Sequence, residues 1–169
     1  MSLLWQVCLA ETLNPSTGHV DSSRPFSLRP ATEADFPEIR ALIRRVRINP
    51  TGLDWRHFTV AVNGSGQMIA CAQLKPVPGD LTELASLAVR SAYRHQGIAR
   101  ALIEHLLAVA PRPVYLTCRS SLGRMYQKFG FRVLGTEDMP VYYRRLQRLA
   151  GVFIGLTRRN ETLLVMKLG

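Results

Sequence analysis

One amphipathic helix between two buried strands places the strongest constraint on the fold of this chain. From Gly97 to Val109 the apolar residues recur at the spacing of one helix face, whereas Thr82–Val89 and Val114–Cys118 are apolar runs of strand length. Turn-forming glycine, proline and polar residues separate the three segments. Such a helix covers its apolar face only by packing on a neighbouring layer, so we predict a sheet with at least one helix on it.

The segments on either side extend this unit. Phe26–Pro30 alternates as a strand does, and the apolar residues from Phe36 to Val46 recur at helical spacing. Two further apolar runs are joined through the turn Asn63–Gly66, which predicts a hairpin. Later elements are predicted as a helix over Ser121–Phe129, a strand over Phe131–Leu134, a helix over Val141–Leu149 and a strand over Thr162–Leu168. This order predicts an α/β (mixed α+β) fold, with helices on both faces of a mixed sheet.

The length of 169 residues suits one compact domain. We assign residues 26–169 to that domain and treat residues 1–25, which contain two turn-like stretches, as an N-terminal appendage that is flexible or docks on it. Apolar runs stay well short of the ~20 residues of a membrane span, and the start of the chain lacks the basic segment of a signal peptide. We therefore expect a cytoplasmic protein without a membrane partner, as a monomer or a homodimer.

The chain is strongly basic, with a net charge of +10 at pH 7 that comes mostly from arginine. A basic surface attracts anions, including nucleic acids and phosphorylated cofactors. Although Arg144, Arg145, Arg148, Arg158 and Arg159 could form a patch, no nucleic-acid-binding motif accompanies them, so we expect no nucleic-acid partner. The three cysteines and four histidines do not have the spacing of metal ligands, and we expect no metal.

The loop before the central helix has the chemistry of an anion site. It runs Arg94–His95–Gln96–Gly97–Ile98–Ala99 and follows a strand that ends at Val89. Backbone N–H groups at a helix start have no partner within the helix, and the helix dipole makes that end positive. Glycine lets a ligand approach the backbone closely, and Arg94 adds a fixed positive charge. The loop is therefore suited to a pyrophosphate.

These residues resemble the cofactor motif of the GNAT acetyltransferase superfamily, which runs Arg or Gln, x, x, Gly, x, Gly or Ala after a strand that usually ends in valine. Two further segments are similar to GNAT motifs: the opening Leu28–Asp35, and Leu122–Phe131, a helix with tyrosine followed by Gly-Phe. The resemblance covers roughly residues 26–168. Ala99 takes the place of a second glycine, which the family commonly accepts, whereas Ser120–Ser121 departs from the pattern because asparagine is common there.

The resemblance implies a mostly antiparallel central sheet, splayed between strands 4 and 5, and acetyl-CoA as the cosubstrate. Its pantetheine arm would lie as a false strand between the strand that ends at Val89 and the strand that contains Cys118. The residues implied to bind it are Leu87, Ala88, Val89, Arg94, His95, Gln96, Gly97, Ile98, Ala99 and Ser120. An acceptor pocket would be walled by Leu53, Trp55, Phe58, Tyr142 and Tyr143, unless these side chains belong to the core.

Attack by an alkyl amine on a thioester needs a base, because the amine is mostly protonated at neutral pH. Glu83 lies six residues before Val89, about one pantetheine length along the strand. The resemblance implies that Glu83 is the base, acting directly or through water; alternatively it is a structural glutamate. Tyr126 matches the tyrosine beside the cofactor sulfur and would protonate the thiolate, unless it only packs on the sheet. We do not expect Cys118 to carry the acyl group, because no histidine is paired with it.

The expected function is transfer of an acetyl group from acetyl-CoA to a primary amine. The acceptor is an unidentified small molecule or peptide, and the amine attacks directly in a ternary complex. The alternative is a non-catalytic acyl-CoA-binding sensor or regulatory module. Such a module would keep the loop Arg94–Ala99, which we call the phosphate loop, without needing Glu83 or Tyr126. The presence of both residues favours the N-acetyltransferase.

Overall fold

The computed structural model describes residues 25–148 and 162–169. The strands are β1 (Phe26–Pro30), β2 (Phe58–Asn63), β3 (Met68–Val77), β4 (Leu81–Val89), β5 (Val114–Arg119), β6 (Arg132–Val133) and β7 (Leu163–Leu168). The helices are α1 (Phe36–Arg45), α2 (Ile98–Val109), α3 (Gly123–Gln127) and α4, which is described over residues 141–148. Residues 1–24 of the predicted appendage and the predicted helix end at Leu149 lie outside the described residues.

The strands within these ranges form one sheet in the order β1-β2-β3-β4-β5-β7-β6. Neighbouring strands are antiparallel except for β4 and β5, which are parallel and connected through α2. The β4–β5 ladder contains only the pairs Thr82↔Val114 and Glu83↔Tyr115, after which the two strands separate. The prediction of a mixed, mostly antiparallel sheet that is splayed between strands 4 and 5 is confirmed.

A bulge in β4 accompanies this separation. The register with β3 shifts between Cys71 and Gln73, and Ser86 on the opposite strand has a left-handed backbone with φ 56°. A bulge adds a residue to one strand and bends it. The sequence predicts β4 as a strand buried on both faces, but residues 85–87 are only half-buried, because β5 no longer covers that edge.

Helices cover both faces of the sheet, as the sequence predicts. Ile39 and Ile43 of α1 pack with Val60 on one face, whereas the α2 side chains pack with the adjacent Ala61 on the other. Tyr143 of α4 packs with Tyr115 and Val165, whose sequence neighbours belong to the α2 cluster. Since successive strand residues point to opposite faces, α1 and α4 share one face and α2 lies on the other.

Several element boundaries differ from the sequence prediction. The residues Pro76–Gly79 have the composition of a turn, but β3 continues to Val77 and pairs with the start of β4, so the turn covers only residues 78–80. The predicted helix Ser121–Phe129 is α-helical only over Gly123–Gln127, after a 3-10 turn. That helix ends in a turn that closes at Gly130, whose φ of 88° is in the left-handed region that glycine favours at helix ends.

Asp35 ties the first strand to the first helix. Its carboxylate accepts hydrogen bonds from the Arg29 guanidinium at 2.7 and 2.8 Å and from the Thr32 N–H at 2.7 Å. The hydrogen bonds from Arg29 hold the pKa of Asp35 well below its ordinary value of 3.8. A carboxyl with a depressed pKa stabilises the fold at neutral pH, and that contribution is lost as the pH falls through the folded pKa.

We therefore expect Asp35→Asn to lower the free energy of unfolding by about 1 kcal/mol at pH 7, as loss of a helix-start cap does. The difference from wild type should shrink below the ordinary aspartate pKa of 3.8. Urea denaturation at several pH values measures both effects. Asp138→Asn, at an exposed position, is the control; equal losses in the two variants would contradict the assignment.

Candidate active site

The start of α2 presents a cradle of unpaired backbone N–H groups. Gly97 precedes the helix, and the first N–H to bond back within it is that of Ala101, which donates to the Gly97 carbonyl at 3.0 Å. The N–H groups of the three residues between them have no carbonyl partner in the helix. Within residues 25–148 and 162–169 no side chain caps this end, and the first turn of α2 contains no acidic residue. The positive end of the helix dipole is therefore not offset by a nearby carboxylate, and the N-terminus of α2 attracts an anion.

Glycine at position 97 is favoured by the backbone conformation and leaves the space beside it open. Its φ of 77° is in the left-handed region, which costs other residues energy. A Cβ built on Gly97 would meet no atom within 4 Å, so the glycine faces open space and does not serve internal packing. His95 also has a positive φ, of 63°. The loop thus wraps its amides around a concave, accessible surface, as anion-binding nests do.

A cavity of about 470 Å³ extends from this cradle along β4. That volume is within the range of small-molecule sites. The residues predicted from the sequence that line it are Leu87, Ala88, Val89, Arg94, His95, Gly97, Ile98, Ala99 and Tyr126. The structure therefore brings together the phosphate loop, the last residues of β4 and the predicted acid. Leu87, Ala88 and Val89 belong to the part of β4 that no longer pairs with β5.

Two of the predicted cofactor residues do not line this cavity. Gln96 faces a smaller pocket beside β1, and its side chain donates to the Ala92 carbonyl at 3.3 Å. Ser120 is bonded to the start of β7: its N–H donates to the Thr162 carbonyl at 2.9 Å, and its hydroxyl accepts from the Thr162 N–H at 3.2 Å. Their roles in cofactor binding stay predictions.

Glu83 occupies the point at which β4 and β5 begin to separate. Only 3% of the residue is exposed. One carboxylate oxygen accepts from the Thr117 hydroxyl at 3.1 Å, and the other lies 3.4 Å from the Lys75 ammonium without an aligned hydrogen bond. A buried oxygen without a hydrogen-bond partner is a place for an ordered water.

Tyr126 is buried where α3 meets the cavity. Its ring lies edge-on to Phe131 at 6.1 Å, and burial raises the pKa of its phenol. The hydroxyl is therefore protonated at neutral pH and can donate. Nearby, burial raises the pKa of the Cys118 thiol to about 11, so this thiol is not the thiolate that nucleophilic catalysis requires.

A scan against protein-family models matches residues 22–131 to the Acetyltransferase (GNAT) family. The chain belongs to that family. Membership supports acyl transfer from an acyl-CoA as the chemistry of the site just described. A search of curated protein sequences found no match. No group of three or more potential metal ligands occurs in the part of the chain that the structure describes, and no described helix is long and apolar enough to cross a membrane.

Solved structures share this GNAT fold at low sequence identity. N-acetylglutamate synthase from Neisseria gonorrhoeae, complexed with coenzyme A and N-acetyl-glutamate, has a TM-score of 0.65 and 23% identity over 85% of this chain. This chain covers only 35% of that protein. A GCN5-related N-acetyltransferase from Kribbella flavida has a TM-score of 0.62 and 21% identity, with 85% and 97% of the two chains covered. Rv2747 from Mycobacterium tuberculosis, in complex with CoA, has a TM-score of 0.62 and 20% identity, with 85% and 99% covered.

The GNAT sheet also holds a buried amide that the sequence analysis missed. Gln73 of β3 is fully buried, and its Nε2 donates to the Ser86 hydroxyl at 2.9 Å and to the Gly52 carbonyl at 3.4 Å. It therefore ties the bulge of β4 to the loop after α1. A single amide within the apolar run Met68–Leu74 was a signal that could have identified it.

A second pocket, of about 420 Å³, lies on the other side of Glu83 from the phosphate loop. It includes Lys75 and two of the predicted wall residues, Leu53 and Tyr142. Phe58 and Tyr143, by contrast, are core residues, since they are 2% and 0% exposed and pack in separate apolar clusters. The GNAT fold of this chain thus has one cavity at the phosphate cradle and another beside the predicted base.

Proposed function

We propose that the protein transfers the acetyl group of acetyl-CoA to the primary amine of a small molecule or peptide by direct attack. The observation that carries the proposal is the separation of β4 from β5. It leaves the edge of β4 free after Glu83 and opens a cleft that begins at the unpaired amides of α2 and passes Tyr126. The residues proposed for phosphate binding and the residue proposed as the base therefore lie at the two ends of this free edge of β4.

The residues present fit coenzyme A. The first turn of α2 and Arg94 would hold the pyrophosphate, and the free edge of β4 at Leu87 and Val89 would donate N–H groups to the pantetheine arm and to the developing oxyanion. The cosubstrate supplies an activated acetyl thioester. Because the cleft is lined mainly by apolar side chains, it also excludes water from that thioester.

Glu83 would receive the amine proton through a water molecule. Its side chain is only 4% exposed, so a substrate amine does not reach the carboxylate directly, whereas the oxygen without a hydrogen-bond partner is suited to hold a water. Thr117 fixes the orientation of the other oxygen. A general base that acts through one intervening water is a common arrangement in proton transfer.

Tyr126 would donate its proton to the leaving thiolate. We expect Tyr126→Phe to lower kcat about 100-fold, the lower part of the range for a general acid, with little change in KM for acetyl-CoA. Steady-state thiol release measures both constants. Tyr93→Phe is a matched control, because Tyr93 lines the same cavity but its hydroxyl accepts from the Asn63 amide at 3.2 Å. Equal kcat values for wild type and Tyr126→Phe would remove Tyr126 from the mechanism.

A screen for thiol release from acetyl-CoA with a panel of amines and peptides tests the function as a whole. Acetylated product, identified by mass spectrometry, would support the transferase. If the protein binds CoA and none of the acceptors is acetylated, the proposal fails and the acyl-CoA sensor becomes the better description. Absence of CoA binding by folded protein would contradict both functions.

A further inference from the structure

The pocket beside Glu83 contains a partly buried ammonium group, for which the described residues provide an ionic partner but no hydrogen bond. Lys75 lies on β3 opposite Glu83, and its side chain is only 17% exposed. Its nearest ionic partner is the Glu83 carboxylate at 3.4 Å, which is not aligned for a hydrogen bond. Among the described residues the ammonium therefore has three N–H donors and no acceptor in hydrogen-bond geometry. A partly buried ammonium with free N–H donors can bind an anionic group that enters the pocket.

The loop after α1 passes close to the Lys75 ammonium at Gly52. Gly52 has a φ of 67°, and a Cβ built on it would lie 3.5 Å from the Lys75 Nζ. Gln73 anchors the same loop through the Gly52 carbonyl. The loop is thus held over Lys75 by a buried contact that also reaches Ser86, and the pocket beneath it has a defined wall.

The acidic side chain that lines the pocket, Asp54, is already hydrogen-bonded to Arg56. Asp54 accepts hydrogen bonds from the Arg56 guanidinium at 2.9 Å and from the Arg56 N–H at 3.1 Å. The remaining polar lining includes the hydroxyl of Tyr142 and the imidazole of His57. Burial, followed by the charge of Glu83, raises the pKa of Tyr142, so its hydroxyl is a neutral donor at physiological pH. The pocket therefore offers donors to a ligand and a positive charge at its base.

We propose that this pocket binds the carboxylate of an amino acid acceptor, with the Lys75 ammonium as its counterion. The inference rests on the proposed function, because it assigns the acceptor class to the same site. Lys75 and Glu83 are adjacent, so a carboxylate on Lys75 would leave an amine on the same carbon beside the base. Because Lys75 forms an ion pair with Glu83 but no hydrogen bond to it, the N–H donors of the ammonium stay available to a substrate carboxylate.

The test compares each of several L-amino acids with its own α-carboxamide as the acceptor. The two compounds share a side chain and differ in the anionic group that Lys75 would bind. Since their amines differ in basicity, the acid-to-amide ratio of kcat/KM is compared between protein variants and not judged alone. We expect Lys75→Met to lower this ratio about 10- to 100-fold, the effect of one charge-assisted hydrogen bond, and Lys75→Arg to retain part of it.

Lys128→Met is the matched control, because it removes the same charge from an exposed position outside the pocket. Its ratio should equal that of wild type. A wild-type protein that acetylates the carboxamides at least as well as the acids in every pair, with a ratio unaffected by Lys75→Met, would overturn the inference and leave amine acetylation intact. An acid preference that survives Lys75→Met would overturn it as well.

Calorimetry separates this inference from the function on which it rests. The same L-amino acids are titrated into protein saturated with CoA, which needs no turnover. Binding that is weakened by Lys75→Met and not by Lys128→Met would support the carboxylate site even if no acetylated product formed. Absence of both binding and turnover with every amino acid would overturn it.

Discussion

Replacing Gly97 by valine should weaken CoA binding about 100-fold or more. The left-handed φ of 77° at the start of α2 is unfavourable for a β-branched residue, and the added methyl groups would occupy the open space above the unpaired amides. If the loop relaxed to relieve this strain, its N–H groups would also no longer point together at the pyrophosphate. Titration calorimetry with CoA measures the loss, and acetyl-CoA should behave in the same way.

Gly66→Val provides a closely matched control. Gly66 has a φ of 79°, and its Cβ position is also free of contacts within 4 Å, but it lies in the β2–β3 turn and does not line the cavity. Both substitutions should therefore reduce the free energy of unfolding by a similar amount, about 1–2 kcal/mol for an ordinary residue in the left-handed region. Only Gly97→Val should change the affinity for CoA. Equal CoA affinity in the two variants would show that the loop does not hold the cofactor.

Replacing Glu83 by glutamine should lower kcat about 100- to 10,000-fold while leaving CoA affinity close to that of wild type. Glutamine keeps the shape of the side chain and its contact with Thr117, but it cannot accept the proton of the attacking amine. Single-turnover measurements at saturating acetyl-CoA isolate the chemical step. The loss should be smaller at high pH, where more of the amine is already deprotonated in solution.

A structural role for Glu83 would give a different pattern. If the carboxylate served only to neutralise Lys75, Glu83→Gln would lower the free energy of unfolding and leave kcat largely unchanged. Thermal denaturation of the same variant therefore distinguishes the two roles. Glu137→Gln, an exposed substitution of the same kind, controls for the loss of one negative charge. Unchanged kcat in Glu83→Gln would exclude it as the base.

Much of the fold was predictable because its signals are local. The helix after Gly97, the hairpin through Asn63–Gly66 and the left-handed cap at Gly130 depend on residues close in the chain. The predicted ends of strands and helices were less accurate where tertiary contacts outweighed the local sequence signal. Pro76 is part of a strand because β4 pairs beside it, and α3 is short although its apolar pattern continues toward Phe129.

The candidate site also combines features that local sequence signals predict with features that only tertiary contacts produce. The cradle at Arg94–Ala99 was predictable, since unpaired amides at a helix start and a glycine in the left-handed region are consequences of local backbone geometry. The surroundings of Glu83 were not, because Lys75 and Thr117 come from different strands and meet it only through the register of the sheet. No spacing along the chain encodes such contacts.

The sequence by itself determined the order of the elements, the loop proposed to bind the pyrophosphate and the strand that contains Glu83, because periodicity and backbone conformation are set by near neighbours. Only the tertiary structure decided that β4 bulges at Ser86, that Gln73 joins this bulge to Gly52, and that β7 pairs with β5. These features depend on cross-strand packing between distant segments, in which side-chain fit and burial select one register.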